Sequence, residues 1–445
     1  MTGTPLPERP LTFGGYLGYG LGDFASNLVW GTCMAYSVYF YTDVCRIPVG
    51  IVAALMLIAR ILNAAVDPFV GLWMDGRPSG ERARPFLKWG AVPLGLTLAL
   101  SFVPVDADLV VKSVWAGATY LTLNIVYSVV NIPYGVLINL MTSDSRSRVL
   151  LSTSRFLGSS VAVILVGFAT IDAAGFLGGD VASRGFARYG IVLGALTTVM
   201  ILASYALTSE QLRYPASRPS LRRFVSATFG NRDWVALTIS MTLSFVAATV
   251  IFGMATYYAV QNLREGAAFG GRILGVMTIT SLLGIALAPA LTARFGQRGI
   301  CIWSNVALAA IMIAVSAVPL TAIGMLVLAG LVGFLVGARE PAIYALLANA
   351  IDPDEVTGRN AMGVAYSLNS AFCKAAVGLG SAIIAGILAV GGYLPGVAAQ
   401  SSDAVQAIRM GFGYVPAALY ILSALALTMI NRPPVDEPEV TPASG

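Results

Sequence analysis

The sequence predicts an all-α membrane protein of twelve transmembrane helices, and three observations predict it. Of its 445 residues 57% are hydrophobic and 11% charged, whereas a soluble globular chain carries roughly 25% charged residues. Apolar stretches recur from Phe13 to Asn431 with short polar interruptions, each long enough to cross a hydrocarbon core of about 30 Å. The stretches are continuous rather than alternating. A segment that must satisfy its own backbone in lipid is then a helix and not a barrel strand.

In chain order, apolar runs bounded by Gly, Pro and charge clusters place helices at 13–41, 49–74, 86–105, 110–141, 153–173 and 186–208. A second six follow at 234–262, 270–293, 299–319, 321–350, 360–390 and 408–431. The longest polar stretch, Ser209 to Asp233, separates the sets and holds Arg213, Arg218, Arg222, Arg223 and Arg232. The expected organisation is an N-terminal six-helix bundle (1–208), a linker (209–233), a C-terminal six-helix bundle (234–431) and a tail (432–445). The first span follows Met1–Leu11 and contains Asp23 and Asn27, which does not fit a cleaved signal peptide. An even number of spans puts both termini on one side. That side carries Arg9, Arg77, Arg82, Arg84, Lys88, Arg146, Arg148, Arg294, Arg298, Arg359, Arg432 and the linker arginines, against Arg46, Lys112, Arg184, Arg188, Arg264, Arg272 and Arg409 opposite. The bias predicts a multi-pass plasma-membrane protein with both termini and the linker in the cytoplasm.

The two sets of six echo each other. Asn131-Ile132-Pro133-Tyr134 in the fourth span aligns with Arg339-Glu340-Pro341 in the tenth, which sets Asp144 against Asp352 at the cytoplasmic ends. Gly71-x-x-x-Asp75, followed by Arg77, Arg82 and Arg84, has a fainter counterpart around Arg294 and Arg298. Six-plus-six repeats about a basic linker are the architecture of the major facilitator fold, two six-helix pseudo-repeats.

Several function classes drop out. The net charge of +5 is scattered through short loops, which is positive-inside asymmetry and not a nucleic-acid patch. The sequence has no histidine, so the usual zinc ligands and Ser–His catalysis are missing. Cys33, Cys45, Cys301 and Cys373 lack metal-ligand spacing and read as packing residues. Gly14, Gly18, Gly20 and Gly22 lie inside an apolar helix with no preceding strand, so close helix packing explains them better than phosphate binding. No enzyme, catalytic residue, cofactor or bound metal is expected, and the chain is expected to be a monomer in the bilayer.

A charge at mid-bilayer costs at least about 2.5–3.5 kcal/mol, so each one needs a reason. The candidates are Asp23, Arg60, Asp67, Arg155, Arg339, Glu340 and Lys374. Arg60, Asn63 and Asp67 are spaced i, i+3, i+7 on one helical face. A carboxylate beside an amide can hold a proton or form half a sodium site. Burial disfavours its ionised form, while the Arg60 guanidinium favours it. Arg60 and Asp67 can equally form a purely structural ion pair. Asp23 and Asn27 are one turn apart, and Asn131 precedes the helix-perturbing Pro133. Such amides and acids suit a polyhydroxylated ligand, since an amide offers both donor and acceptor. Trp30, Tyr36, Tyr127 and Tyr366 could stack on a sugar ring or simply pack. Arg339 can meet an anionic substrate or pair with Asp23. Adjacent residues point about 100° apart on a helix, so Arg339 and Glu340 are not expected to pair only with each other.

Gly22-Asp23-x-x-x-Asn27, Tyr41-Thr42-Asp43 and Ala59-Arg60-Ile61-x-Asn63-Ala64-x-x-Asp67-Pro68-x-x-Gly71 resemble the glycoside–pentoside–hexuronide:cation symporters, the melibiose permease family. The resemblance continues through Arg84-Pro85, Asn131 to Tyr134, Ser154-Arg155-Phe156, Thr357-Gly358-Arg359, Lys374 and Gly392-Tyr393. It implies cation-driven uptake of a sugar, glycoside or hexuronide by alternating access. It also implies a cation-site role for Asp67, a substrate-site role for Arg155, and a match of Lys374 to the family's eleventh-helix lysine. Asn63 and Asn131 stand where the melibiose carriers have acids, and Val66 replaces an amide. A hard cation wants several oxygens, preferably negative, so Na+ at Asp67 is disfavoured and H+ is the expected coupling ion. The expected substrate set is Asp23, Asn27, Asn131, Arg155, Lys374, Tyr127 and Arg339. The expected cytoplasmic gate is Asp75, Arg77, Asp144, Arg148, Asp352 and Arg359. The alternatives are a carrier of a lipid-like or amphiphilic solute, an uncoupled sugar facilitator and, remotely, a non-transporting sensor.

Overall fold

The computed structural model describes residues 9–77, 81–179, 182–212, 225, 228–351, 362–394 and 400–430. Among them run twelve long helices: α1 (Phe13–Tyr39), α2 (Val49–Asp75), α3 (Arg84–Ser101), α4 (Leu109–Met141), α5 (Ser145–Gly178) and α6 (Ala182–Leu207). There follow α7 (Arg232–Gln261), α8 (Ala267–Phe295), α9 (Gln297–Ala317), α10 (Ala322–Ile351), α11 (Met362–Val390) and α12 (Ser402–Thr428). Nine of these, α4 to α12, are long and apolar enough to cross a membrane. At 27 residues each, α1 and α2 also exceed the roughly 20 residues a span needs. The all-α, twelve-helix expectation is met among the described residues.

Polar side chains start the helices where orphan amides need acceptors. Asp108 accepts from the Val111 amide at 2.8 Å, Asp144 from Ser147 at 2.8 Å and Asn231 from Trp234 at 3.1 Å. Asp144 explains one difference from the expected boundaries. As a cap it begins α5 at Ser145, so Arg146 and Arg148 are helical, although their charges suggest a loop.

The internal repeat is visible in the turns that end α1 and α7. A short π-helical stretch, Phe40–Val44, extends α1. Cys45 and Ile47 then donate to Phe40 and Tyr41, as Leu263 and Glu265 donate to Tyr258 and Ala259. Arg46 (φ 58°) and Arg264 (φ 57°) occupy the left-handed position at the same point of each turn.

The chain forms two compact units. One comprises 1–228 with 351–368, the other 229–350 with 369–445. In the first, α1 packs on α5 and α6, α3 on α4 and α6, and α2 on α4. The α1 glycines permit this approach: a methyl at Gly20 would meet the Ser154 carbonyl oxygen at 2.7 Å. In the second unit α12 packs on α7 and α9. Its core includes Tyr258, Phe412, Tyr420, Leu308 and Met312.

Candidate functional site

In the first unit, Asp23 on α1 is buried, and Nε of Arg155 on α5 donates to its Oδ1 at 3.0 Å. Asn27, one turn on, donates to its Oδ2 at 3.1 Å. The Arg155 guanidinium lies 5.5 Å from the ring centroid of Tyr134, which stacks on Tyr19 at 4.8 Å. The Tyr134 hydroxyl donates to the Tyr19 carbonyl at 2.6 Å. Tyr127 and Asn131 stand four residues apart on α4, hence on one face, and Trp30 stacks on Tyr127 at 6.0 Å. The charges of Asp23, Arg155 and Asp67 all reach Tyr127. An ion pair, an amide and two aromatic faces thus share one region, which is chemistry suited to a hydroxylated ring.

Asp67 is fully buried on α2. The Asn63 amide nitrogen donates to the Asn124 carbonyl and the Ser128 hydroxyl on α4, both at 2.9 Å. It therefore ties α2 to α4. The Arg60 side chain lies outside the described residues.

The expected gate residues divide. Asp75 is buried and accepts from the Gly363 and Val364 amides at 2.9 and 3.2 Å, at the start of α11. A carboxylate there meets the positive end of the helix dipole. Nearby, Gly71 abuts the Gly363 backbone so closely that a side chain at either would collide. Arg77 sits 5.2 Å above the Phe86 ring. Asp144 caps α5; burial pushes its carboxyl up, but bonds from the Ser147 side chain and amide and the Arg146 amide outweigh this and hold it below the usual range. Arg148 is buried and donates to the Thr142 carbonyl at 3.0 Å. Asp352 and Arg359 lie outside the described residues.

In the second unit, Arg339 on α10 is buried. Its guanidinium donates to the Ser244 hydroxyl at 2.7 Å, to Asn305 Oδ1 at 2.8 Å and to Glu340 Oε1 at 2.7 Å. The neighbours do pair, because two long side chains can bend around the helix, yet Arg339 also reaches α7 and α9. Ser423 on α12 completes the network, accepting from Asn305 at 3.0 Å. Lys374 is half-buried on α11.

Some residues in these clusters escape sequence reasoning. Ser244, Asn305 and Ser423 lie in apolar helices and carry no motif. Glu210, just past α6, accepts from the amides of Arg82, Ala83 and Arg84 at 2.7–2.8 Å and so caps α3 from 126–128 residues away. Burial raises its carboxyl above the usual range, against the three amide bonds.

Three comparisons bear on this geometry. The family pattern described as MFS/sugar transport protein matches residues 18–432. The inner membrane symporter YicJ of Escherichia coli (strain K12) is 31% identical over 412 residues, 92% of this chain and 89% of that protein. The isoprimeverose transporter of Lactiplantibacillus pentosus is 30% identical over 430 residues, 92% and 86% of the two chains. The crystal structure of the Escherichia coli fucose:proton symporter FucP superposes with a TM-score of 0.70 over 94% of this chain and 98% of that one, at 12% identity, which speaks to the fold.

Proposed function

The chain belongs to the MFS/sugar transport protein family, whose members are membrane transporters and not enzymes, and we propose that it is a proton-coupled symporter of a sugar or glycoside. Its two six-helix bundles, 1–208 and 234–431, are joined by the linker 209–233, with linker and termini in the cytoplasm. The observation that carries the proposal is the pairing, within one unit, of a fully buried carboxylate at Asp67 with the Asp23–Arg155–Asn27 cluster.

The chemistry follows from what each group can do. Asp67 is buried within a span, where a negative charge is costly and a proton removes it. The Asn63 amide nitrogen is turned to α4; a sodium ion wants several oxygens, preferably negative, whereas a proton needs one base. A sugar's vicinal hydroxyls can bridge Asp23 and Arg155, each bond to a charged group contributing about 1.5–3 kcal/mol, while Trp30 and Tyr127 offer ring faces. Tyr127 feels the charges of both Asp67 and Asp23, which links the coupling carboxylate to the cargo cluster in this scheme. Asp75, held by two amides of α11, serves as a cytoplasmic latch that must release for transport. The relative named as a symporter agrees with coupled transport, and the relative named as an isoprimeverose transporter agrees with this class of cargo.

Uptake of radiolabelled glycosides into proteoliposomes, with proton and sodium gradients imposed separately, tests the proposal. Accumulation should follow the proton gradient. Accumulation driven by sodium alone, or by neither gradient, would contradict it.

A further inference from the structure

The ion pair of Arg339 and Glu340 has no part in the coupling scheme above. Eleven residues separate Glu340 from the end of α10 at Ile351, a rise of about 16 Å, so the pair sits well inside a hydrocarbon core about 30 Å thick. The two partners differ in access. The Arg339 side chain is 4% exposed, the Glu340 side chain 19%. A carboxylate at this depth faces a water-filled cavity or the bundle interior, not lipid, and the pair is open on its Glu340 side.

Arg339 is built as a fixed cation. Neutral acceptors on α7 and α9, Ser244 and Asn305, hold one of its terminal nitrogens, and Glu340 takes the other. Tyr420 on α12 lies below the guanidinium, 6.0 Å from its carbon. The Nε donor is buried with no hydrogen-bond partner among the described residues. Cys301 and Cys373 are the other titratable groups that feel Glu340. A rigid guanidinium with a spare donor is a carboxylate receptor by geometry, and here the chain supplies the carboxylate from the next residue.

We propose that Arg339 forms an anion-binding subsite which the chain fills with its own Glu340, so that, given the sugar symport proposed above, the carrier selects neutral sugars over their carboxylate-bearing counterparts. A uronate reaching the pair must displace Glu340 from Arg339 or lie beside it as a second negative charge. A neutral glycoside meets a pair that already sums to zero. With glutamine at 340 the guanidinium keeps its anchors but loses its counter-charge, and a cargo carboxylate becomes the best available replacement.

Counterflow in proteoliposomes holding the full chain tests this with matched probes: the methyl glycosides of glucose, galactose and xylose against methyl glucuronide and methyl galacturonide. Wild type should carry a neutral glycoside over its uronide by at least about tenfold. Glu340→Gln should raise the uronide-to-neutral ratio by about tenfold or more, Glu340→Asp should keep the wild-type preference, and Glu340→Gln combined with Arg339→Gln should show no rise. A wild type that carries uronides as readily as neutral glycosides overturns the subsite, and that ratio decides even if a variant fails to fold. An unchanged ratio in Glu340→Gln, or an equal rise in the double variant, overturns it too. A wild type that carries none of the five compounds instead overturns the sugar-symport function, and the subsite with it.

Discussion

Each unit holds a hydrogen-bonded arginine–carboxylate pair among its described residues, and the two are built differently. Asp23 and Arg155 lie 132 residues apart on α1 and α5, and the arginine side chain is 17% exposed. Arg339 and Glu340 are sequence neighbours, with the arginine 4% exposed and bonded to α7 and α9. In the first unit two helices meet through the charges, and the arginine stays partly exposed beside the Tyr134 ring. In the second the arginine is part of the packing and the carboxylate is the accessible partner. The same two functional groups therefore read as a cargo clamp in one place and a fixed charge in the other.

The largest expected effect breaks the second pair. Arg339→Gln leaves Glu340 uncompensated and strips Ser244 and Asn305 of a donor, so it should cost about 3–5 kcal/mol of stability, read as a lowered unfolding midpoint in detergent. Arg155→Gln should cost less, about 1–3 kcal/mol, yet abolish glycoside binding in equilibrium dialysis. Equal destabilisation with binding intact would erase the contrast. Tyr134→Phe removes the bond to the Tyr19 carbonyl and should cost about 1 kcal/mol, with weakened binding through a looser Arg155. Asn63→Ala should cost about 0.6 kcal/mol for each α2–α4 bond lost.

The smallest effects are in pH dependence outside the spans, and they have opposite signs. Glu210 is raised by burial, so its folded-state value exceeds the unfolded one. Its contribution is full below the ordinary glutamate range and fades as pH rises through the raised value. Asp144 is depressed by its capping bonds, so its contribution is present above the ordinary aspartate range and lost on acidification below it. Glu210→Gln should flatten the loss of stability above about pH 4.5, and Asp144→Asn the loss below about pH 4. Unfolding midpoints measured across both ranges check the two signs.

Whatever depends on neighbours along the chain was legible in the sequence. Hydrophobic length and loop charge gave the twelve helices. The spacing of Asn63 and Asp67 put both inside α2, and the α1 glycines read correctly as packing surfaces. Family membership followed from the second-helix motif. Long-range partners were not legible. Nothing in the spacing says that Arg155 finds Asp23, that Tyr134 finds the Tyr19 carbonyl 115 residues away, or that Glu210 caps α3. Lone serines and asparagines in apolar helices, such as Ser244 and Asn305, look like tolerated polarity until a guanidinium is set against them. Helix α5 is the local exception: it starts before its apolar run because Asp144 is a cap, so the arginines after it belong to the helix.

Asp67 is the proposed proton carrier, and proton movement on cargo addition tests that role most directly. In de-energised vesicles, adding a transported glycoside to wild type should make the unbuffered medium alkaline as protons enter with the sugar. Asp67→Asn should abolish that alkalinisation while glycoside counterflow persists. Alkalinisation of wild-type size in Asp67→Asn would show that the proton travels on another group.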